Sequence, residues 1–243
     1  MQNLHAWYGT PLGQRVGAAE RGAVADALAH LGIGDTVCIG PVAHPLPLAP
    51  TVRQWRVGPG GDLVATPQQL PFRGHSVDAV ILSHVLEFGE EPAAVLSEAY
   101  QVLAPEGRLV VLTFNPLGLW GVCRLWGWCR SSRAPWRGRQ WPASSVGVHL
   151  RRCGFETLAR HSLCFRLPMQ GERLQKRLDP WEDRLRRLGR FAAGVQMTVA
   201  VRREPGSLRG HTLVERVGRG ARVGAAHPAG RVRVQALNRG GSA

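Results

Sequence analysis

An apolar strand, an amphipathic helix and a second apolar strand follow one another between residues 77 and 113, and this run constrains the fold more than any other. Residues 77–83 read VDAVILS, a nearly continuous apolar stretch typical of a strand buried on both faces of a parallel sheet. Residues 92–103 place apolar side chains at helical spacing behind a proline, which favours a helix start. Residues 108–113, RLVVLT, form the next buried strand. Such a unit needs a right-handed crossover between parallel strands, so it predicts an α/β fold.

The remaining apolar patterns extend the same kind of sheet. Residues 14–31 have the apolar spacing of an opening amphipathic helix, and residues 36–40 form a short buried strand behind it. A second strand is predicted at residues 51–57, and the segment between residues 41 and 50 contains four prolines that exclude a helix there. The later segments predict a helix at residues 144–153, strands at residues 154–159 and 195–201, and a basic helix at residues 172–190.

Composition excludes several classes of protein. The hydrophobic content of 44% is sufficient for a globular core. No apolar run reaches the roughly 18–20 residues of a membrane span, and the first residues lack a basic start followed by an apolar stretch. The five cysteines are scattered and include no C-x-x-C pair, which argues against a disulfide framework and a zinc site. We therefore expect a cytoplasmic protein with no membrane span.

The charge and the tryptophans leave two alternatives open. The formal net charge is +14, and the basic excess is heaviest from about Arg124 onward. Arginines that alternate with aromatic rings suit binding to single-stranded nucleic acid, but they equally suit a lid or tryptophans packed on the sheet. We rank packing or a lid first and nucleic acid second. The residues concerned are Trp120, Trp126, Trp128, Trp136, Trp141, Arg124, Arg130, Arg133, Arg137 and Arg139.

The chain is predicted to contain one folded domain and a tail. The domain covers residues 1–203 and includes an Arg/Trp-rich insertion at about residues 117–142. Residues 204–243 are rich in Gly, Arg, Ala and Pro and have few large apolar side chains, which predicts a disordered basic tail. The oligomeric state is left open.

The central block resembles a known family. LPFRGHSVDAVILSHVLEF, followed by EPAAVLSEAYQVLAPEGRLVVLTFNP, is similar to the core of class I S-adenosylmethionine-dependent methyltransferases of the type 11-like group. WYGTPLGQ near the start and TFNPLGLWG after the central block resemble a bacterial branch of that family. The resemblance implies a doubly wound, mostly parallel, seven-stranded Rossmann-like sheet with an antiparallel last strand. It also implies S-adenosylmethionine as cofactor.

The cofactor loop departs from the family pattern. The family's first strand ends in an acid and leads into a loop of roughly the form G-x-G-x-G. On this sequence the acid falls at Cys38, and the three glycines fall at Gly40, Val42 and His44. The family also has an acid after its second strand for the ribose hydroxyls, and residues 52–61 contain none. The loop is therefore degenerate, since only its first glycine is kept.

The resemblance also implies which residues form the site. The predicted cofactor-binding residues are Gly40, Thr66, Leu70, Ser83 and His84. His84 and Asn115 are the predicted catalytic residues. A histidine suits proton transfer near neutral pH, and Asn115 could hydrogen-bond a substrate. For His84 a helix-start role is equally open, and for Asn115 capping of the next helix is the alternative.

Two hypotheses of function follow. The first is an S-adenosylmethionine-dependent methyltransferase acting on an unknown substrate. The second is a non-catalytic, methyltransferase-like binding module, with nucleic acid as one ligand that the Arg-rich segments suit. An enzyme of this fold that uses another small cofactor is a third, weaker alternative.

Overall fold

The apolar runs form the middle of a six-stranded sheet in a computed structural model of the chain. The structure describes residues 2–41, 45–89, 91–125, 138–165, 187 and 189–204. In sheet order the strands are β2 (Arg53–Val57), β1 (Asp35–Ile39), β3 (Val77–Ser83), β4 (Leu103–Phe114), β6 (Val195–Arg202) and β5 (Phe155–Leu163). The α-helices are α1 (Gln2–Tyr8), α2 (Pro11–Leu28), α3 (Val85–Phe88), α4 (Pro92–Val102), α5 (Leu119–Leu125) and α6 (Ala143–Arg152), and a 3₁₀ helix covers Gly189–Phe191.

The directions of the strands match the predicted sheet. The neighbouring pairs β1–β2, β1–β3 and β3–β4 are parallel, whereas β6 runs antiparallel to both β4 and β5. Helices α1 and α2 pack into an apolar core on one face of the sheet, and α4 and α6 pack into a second core on the other face. The doubly wound, mostly parallel sheet with an antiparallel last strand is therefore confirmed.

The number of strands differs from the prediction, because the described residues form six strands and not seven. Where a further strand would lie beyond β2, residues 63–70 make isolated bridges, Val57 with Leu63 and Thr66 with Gln69. Pro67 interrupts this segment and cannot donate a backbone hydrogen bond to a ladder. β2 is consequently the edge strand.

Helix α2 carries the N-terminal part of the chain onto the sheet. Its N-cap residue Thr10 accepts a hydrogen bond from the Gly13 N–H at 3.1 Å, and Pro11 occupies the first turn. The buried stripe of the helix includes Val16, Glu20 and Val24 at helical spacing. A carboxylate therefore lies in the middle of an otherwise apolar face.

The order of the strands places the ends of β1 and β3 at the point where the sheet reverses its direction of growth. The chain moves from β1 to β2 on one side and then returns to β3 on the other. Ligands of such sheets bind outside the carboxyl ends of the strands at this switch point. Gly40 follows β1 here with a φ of 123°, and a Cβ at this position would overlap the carbonyl oxygen of Ser83.

Several predictions fall on residues outside the described part. These are the basic tail after residue 204, most of the basic helix at residues 172–190, and the tryptophans Trp126, Trp128 and Trp136. The domain boundary at residue 203 stays a prediction. Within the described residues, no helix has the length and apolar character to cross a bilayer.

The contact between Gly40 and Ser83 leads to a stability prediction. Gly40→Ala introduces a Cβ into that contact and forces a strained φ, so we expect it to lower the free energy of unfolding by at least about 2 kcal/mol. Gly22→Ala is the matched control, because a Cβ at this helical position meets no atom within 4 Å. The control should raise the free energy of unfolding by about 0.5–1 kcal/mol. Urea denaturation measures both, and equal effects would contradict the assigned contact.

Candidate functional site

An open cleft with a cavity volume of about 190 Å³ lies at the carboxyl ends of β1 and β2. Gly40 and Val57 contribute the strand ends, and Ala65 and Pro67 form the wall that follows β2. His5 reaches the same cleft from α1. Its walls are mostly apolar, as is usual for small-molecule sites. Among the described lining residues there is no carboxylate.

A narrower cavity lies on the other side of the first strand's end. Its free interior is about 10 Å³, room for no more than one water molecule, and Gly40 lines it as well as the larger cleft. Glu20 and Arg21 enter it from α2, Cys38 from β1, and Ser83 from the end of β3. The two spaces therefore meet at Gly40, and the charged side chains lie in the narrower one.

A buried ionic network adjoins this cavity. Nε2 of His84 lies 3.0 Å from Oε1 of Glu20, and Nδ1 of His84 lies 2.7 Å from Oε2 of Glu87. The Tyr8 hydroxyl donates to Oε2 of Glu20 at 2.8 Å. With both carboxylates ionised, each ring nitrogen of His84 donates a hydrogen bond and the ring is an imidazolium. The network joins α1 and α2 to the ends of the central strands.

The backbone around His84 is shaped to hold the ring in place. His84 is the N-cap residue of α3 and has a left-handed φ of 53°. Its ring stacks on Phe114, with centroids 4.0 Å apart, and Phe114 donates its backbone N–H to Oε1 of Glu87 at 2.6 Å. The side chains of His84, Glu20 and Glu87 are at most 1% exposed. Burial and hydrogen bonds therefore fix the ring on every side.

Burial and charge act in opposite directions on these groups. Burial by itself lowers the pKa of the His84 imidazole, but the charges and hydrogen bonds of Glu87 and Glu20 outweigh it and raise the pKa to about 10. Burial raises the pKa of the Glu87 carboxyl, although the charge of His84 opposes that rise. Burial and the neighbouring Glu20 also hold the pKa of Tyr8 well above its usual range. His84 is therefore cationic at neutral pH.

Only some of the predicted cofactor-binding residues line a described cavity. Gly40 and Ser83 line the cavities. Thr66 is exposed between two cleft-lining residues, and the side chain of Leu70 is buried in the core while its N–H donates to Glu98 at 2.8 Å. His84 lines neither described cavity. The assignment of all five as cofactor ligands stays a prediction.

Asn115 makes hydrogen bonds within the protein. Its Nδ2 donates to the carbonyl of Ala193 at 3.0 Å, and its Oδ1 accepts from the Leu117 N–H at 3.1 Å. These bonds fix the turn that leads from β4 into α5, as expected of a short polar side chain in a turn. The predicted catalytic role of Asn115 likewise stays a prediction.

The sequence did not single out Glu20, Arg21, Tyr8 or His5, which the structure places at or beside the cavities. Glu20 carried a usable signal, because it lies one turn after Val16 and one turn before Val24 in an apolar stripe. A charged residue in such a stripe must find a buried partner. That partner could not be identified, because His84 is 64 residues away in sequence.

Two tryptophans of the Arg/Trp-rich segment pack inside the fold. Trp120 is 1% exposed and stacks on Phe114, and Trp141 donates its Nε1–H to the Leu86 carbonyl at 3.0 Å. The Arg139 guanidinium lies 4.3 Å from the ring centroid of Trp141. These two tryptophans therefore pack against the fold, which is the role ranked ahead of nucleic-acid binding in the sequence analysis. Among the described residues no group of His, Cys, Asp and Glu could hold a metal ion.

Two sequence comparisons identify proteins that are similar to parts of this chain. Residues 15–111 match the family model described as a methyltransferase domain. The uncharacterized protein YafS of Escherichia coli K12 is 41% identical over 61 residues, which span 25% of this chain and 25% of YafS.

The fold is similar to that of several solved structures. A Thermotoga maritima protein, described as an S-adenosylmethionine-dependent methyltransferase and possible histamine N-methyltransferase, has a TM-score of 0.58 at 18% identity, over 82% of this chain and 94% of its own. A Haloferax volcanii complex of a methyltransferase with its activator Trm112 gives 0.58 at 19% identity, over 83% and 98%. The [4+2]-cyclase SpnF gives 0.53 at 16% identity, over 75% and 80%. Residues 15–111 are thus similar to a methyltransferase domain, and the fold is similar to that of class I methyltransferases.

The buried network leads to a mutational prediction. His84→Leu leaves Glu20 and Glu87 buried without their shared cation, so we expect a loss of about 3–5 kcal/mol in the free energy of unfolding. His30→Leu is the control, since His30 is exposed, and it should change the free energy by less than about 0.5 kcal/mol. Chemical denaturation at pH 7 compares the two. A loss below about 1 kcal/mol for His84→Leu would contradict a buried ionic network.

The raised pKa of His84 predicts how stability depends on pH. An unfolded histidine titrates near pH 6.5, whereas folded His84 keeps its proton until about pH 10. Its stabilising contribution is therefore complete below about pH 6.5 and is lost as the pH rises towards 10, at up to roughly 1.4 kcal/mol per pH unit. Urea denaturation between pH 6 and pH 10 measures this slope. A stability that is constant or rises over this range would contradict the assignment.

Proposed function

We propose that the chain is an S-adenosylmethionine-dependent methyltransferase that binds its cofactor in the cleft at the carboxyl ends of β1 and β2. The observation that carries the proposal is the position of this cleft at the switch point of a doubly wound sheet, within the part of the chain that matches the methyltransferase family. The substrate and the methylated atom are not specified by the site.

The residues of the cleft fit the adenosine part of this cofactor. Val57, Ala65 and Pro67 give apolar walls for a purine ring, and Gly40 lines the cleft at the end of β1. The carboxylate expected for the ribose hydroxyls is absent from the described lining. Each hydrogen bond lost to a buried polar group costs about 1–3 kcal/mol, or about 10–100-fold in affinity. We therefore expect binding that is weaker than with a complete motif.

The contribution of the chain to the reaction is positioning. The cofactor, when bound, supplies an electrophilic methyl group. The apolar walls exclude water, and the strand ends hold the ligand in one orientation, which is a large share of catalysis when two reactants must be aligned. His84 has both ring nitrogens engaged by Glu20 and Glu87, so we propose that it supports the site and does not transfer a proton.

The degenerate loop favours one alternative, a binding module that has lost methyl transfer. The fold alone does not decide between them, since the same fold occurs in the [4+2]-cyclase SpnF. Nucleic acid remains the ligand proposed for this alternative through the Arg-rich segments. Most of those residues lie outside the described part.

We also infer a reducing, cytoplasmic compartment. Cys38, Cys123 and Cys153 form no disulfide, and burial raises the pKa of Cys38 to about 12. The buried Cys38 thiol is therefore protonated at neutral pH and behaves as a small apolar side chain.

Calorimetric titration with S-adenosylmethionine and S-adenosylhomocysteine tests the proposal. We expect saturable binding of both, and Ala65→Phe should abolish it by filling the cleft. Val64→Phe is the matched control. The side chain of Val64, which precedes Ala65 in the sequence, is 89% exposed, so the larger ring would point into solvent. The absence of binding at millimolar ligand would refute the proposal. Binding to both variants with equal affinity would place the ligand elsewhere.

A further inference from the structure

Two arginine side chains meet over one glycine at the edge of the sheet opposite the cleft. Arg160 extends from β5, the edge strand at the far end of the sheet from β2, and Arg151 lies in the last turn of α6. A Cβ built on Gly147 of α6 would overlap Nη2 of Arg160, and Nη1 of Arg151 lies 3.7 Å from the same point. A helix and a strand therefore bring two guanidinium groups together on an exposed surface.

Neither guanidinium has a counter-charge in the described part of the chain. Arg151 and Arg160 form no ion pair and no side-chain hydrogen bond with any described residue. Glu156 is the only acidic residue between residues 138 and 165, and its carboxylate accepts instead from Arg203 at 2.7 Å. Two permanent positive charges that lie this close repel each other, so an anion held between them would be stabilised by both.

The end of the helix accounts for only part of this arrangement. The C-terminus of α6 favours cations in its last turn, which contains Arg151 and Arg152. Arg160 belongs to another element, however, and its guanidinium lies over Gly147, more than one turn before α6 ends. A glycine inside a helix is destabilising relative to alanine. At this position the glycine leaves the room that the Arg160 guanidinium occupies beside Arg151.

The chemistry of this surface suits phosphate groups that are joined in a chain. The planar donors and permanent charge of a guanidinium match a phosphate. Because Arg151, Arg152 and Arg160 lie side by side in two elements, they can contact more than one phosphate. Val148 of α6 and Leu158 of β5 are exposed and provide apolar surface for the unpaired bases of a single strand. The formal net charge of +14 attracts a polyanion more strongly than a single phosphate ion.

We propose that the surface formed by Arg151, Arg152 and Arg160 binds the phosphate backbone of single-stranded nucleic acid. Contacts with phosphates position a nucleic acid and do not recognise its bases, so this surface binds without sequence preference. It lies at the β5 edge of the sheet, whereas the cleft lies at the ends of β1 and β2. The inference therefore does not rest on the proposed function, and it applies to an enzyme and to a binding module alike.

Fluorescence anisotropy with the full chain and a labelled single-stranded RNA of about 12 nucleotides tests the proposal. Each lost phosphate contact should reduce the slope of the logarithm of affinity against the logarithm of salt concentration by about 0.7, or about fivefold in affinity at roughly 0.1 M salt. We expect this loss for Arg160→Gln and for Arg151→Gln. Arg73→Gln is the matched control, because Arg73 is exposed and lies in the turn before β3, and it should keep the affinity within about twofold.

Gly147→Ala separates the geometry of the surface from its charge. The change leaves the net charge unaltered but places a Cβ where Nη2 of Arg160 lies, so it should displace the guanidinium and weaken RNA binding in the same direction as Arg160→Gln. Because the displaced atoms are the far end of a flexible side chain, the fold should be kept. Gly22→Ala is the matched control, since a Cβ there meets no atom within 4 Å, and it should bind RNA like the parent protein.

The outcomes separate this inference from the proposed function. Equal losses in Arg73→Gln and Arg160→Gln, or an unchanged affinity in Gly147→Ala, would overturn the inference, because binding would then follow the overall charge. A parent protein that does not bind the RNA at roughly 0.1 M salt would overturn it as well. So would arginine-dependent binding to vesicles of anionic phospholipid without binding to RNA. Binding of S-adenosylhomocysteine, measured by calorimetry, should be the same in all these variants, so a failure here leaves the proposed function standing.

Discussion

The two hydrogen bonds from His84 to Glu20 and Glu87 hold together the elements at the carboxyl ends of the central strands. Through Glu20 they hold α2, through Glu87 they hold α3, and the Phe114 N–H bonded to Glu87 adds the end of β4. Three elements that are far apart in sequence are thus tied at one buried point. Such a point is stabilising only as a whole, because each charge loses its compensation when a partner is removed. Of these network residues, Glu20 also lines the narrower cavity.

The division of the site into two spaces follows from the strand order. β1 ends between β2 and β3, so the space above it opens to both sides. The side towards β2 is open, whereas the side towards β3 faces α2, and its charged lining residues are Glu20 and Arg21.

The sequence predicts most of the fold because its signals are local. The apolar runs of β3 and β4 and the apolar stripe of α4 each predict their own element. The predicted boundaries of these elements lie within a few residues of the observed ones, except that β4 begins five residues earlier than predicted. The missing seventh strand was not anticipated, since the family pattern outweighed the proline at Pro67. The site was predictable only in part. Gly40 follows β1 and Ser83 ends β3, so both could be placed from the sequence, whereas Glu20 acquires its role through a contact with His84 across 64 residues.

The close contact of Gly40 with Ser83 changes how a glycine at the first position of the cofactor-loop pattern should be interpreted. A side chain at Gly40 would collide with the Ser83 carbonyl whether or not any ligand were bound, so the packing of two adjacent strands is enough to retain this residue. Selection on the fold and selection on the ligand therefore act on the same position. In a descendant that had lost every ligand, this glycine would be among the last remnants of the motif to disappear. The presence of Gly40 is explained by the packing of β1 against β3, so evidence of ligand binding has to come from the side chains around it.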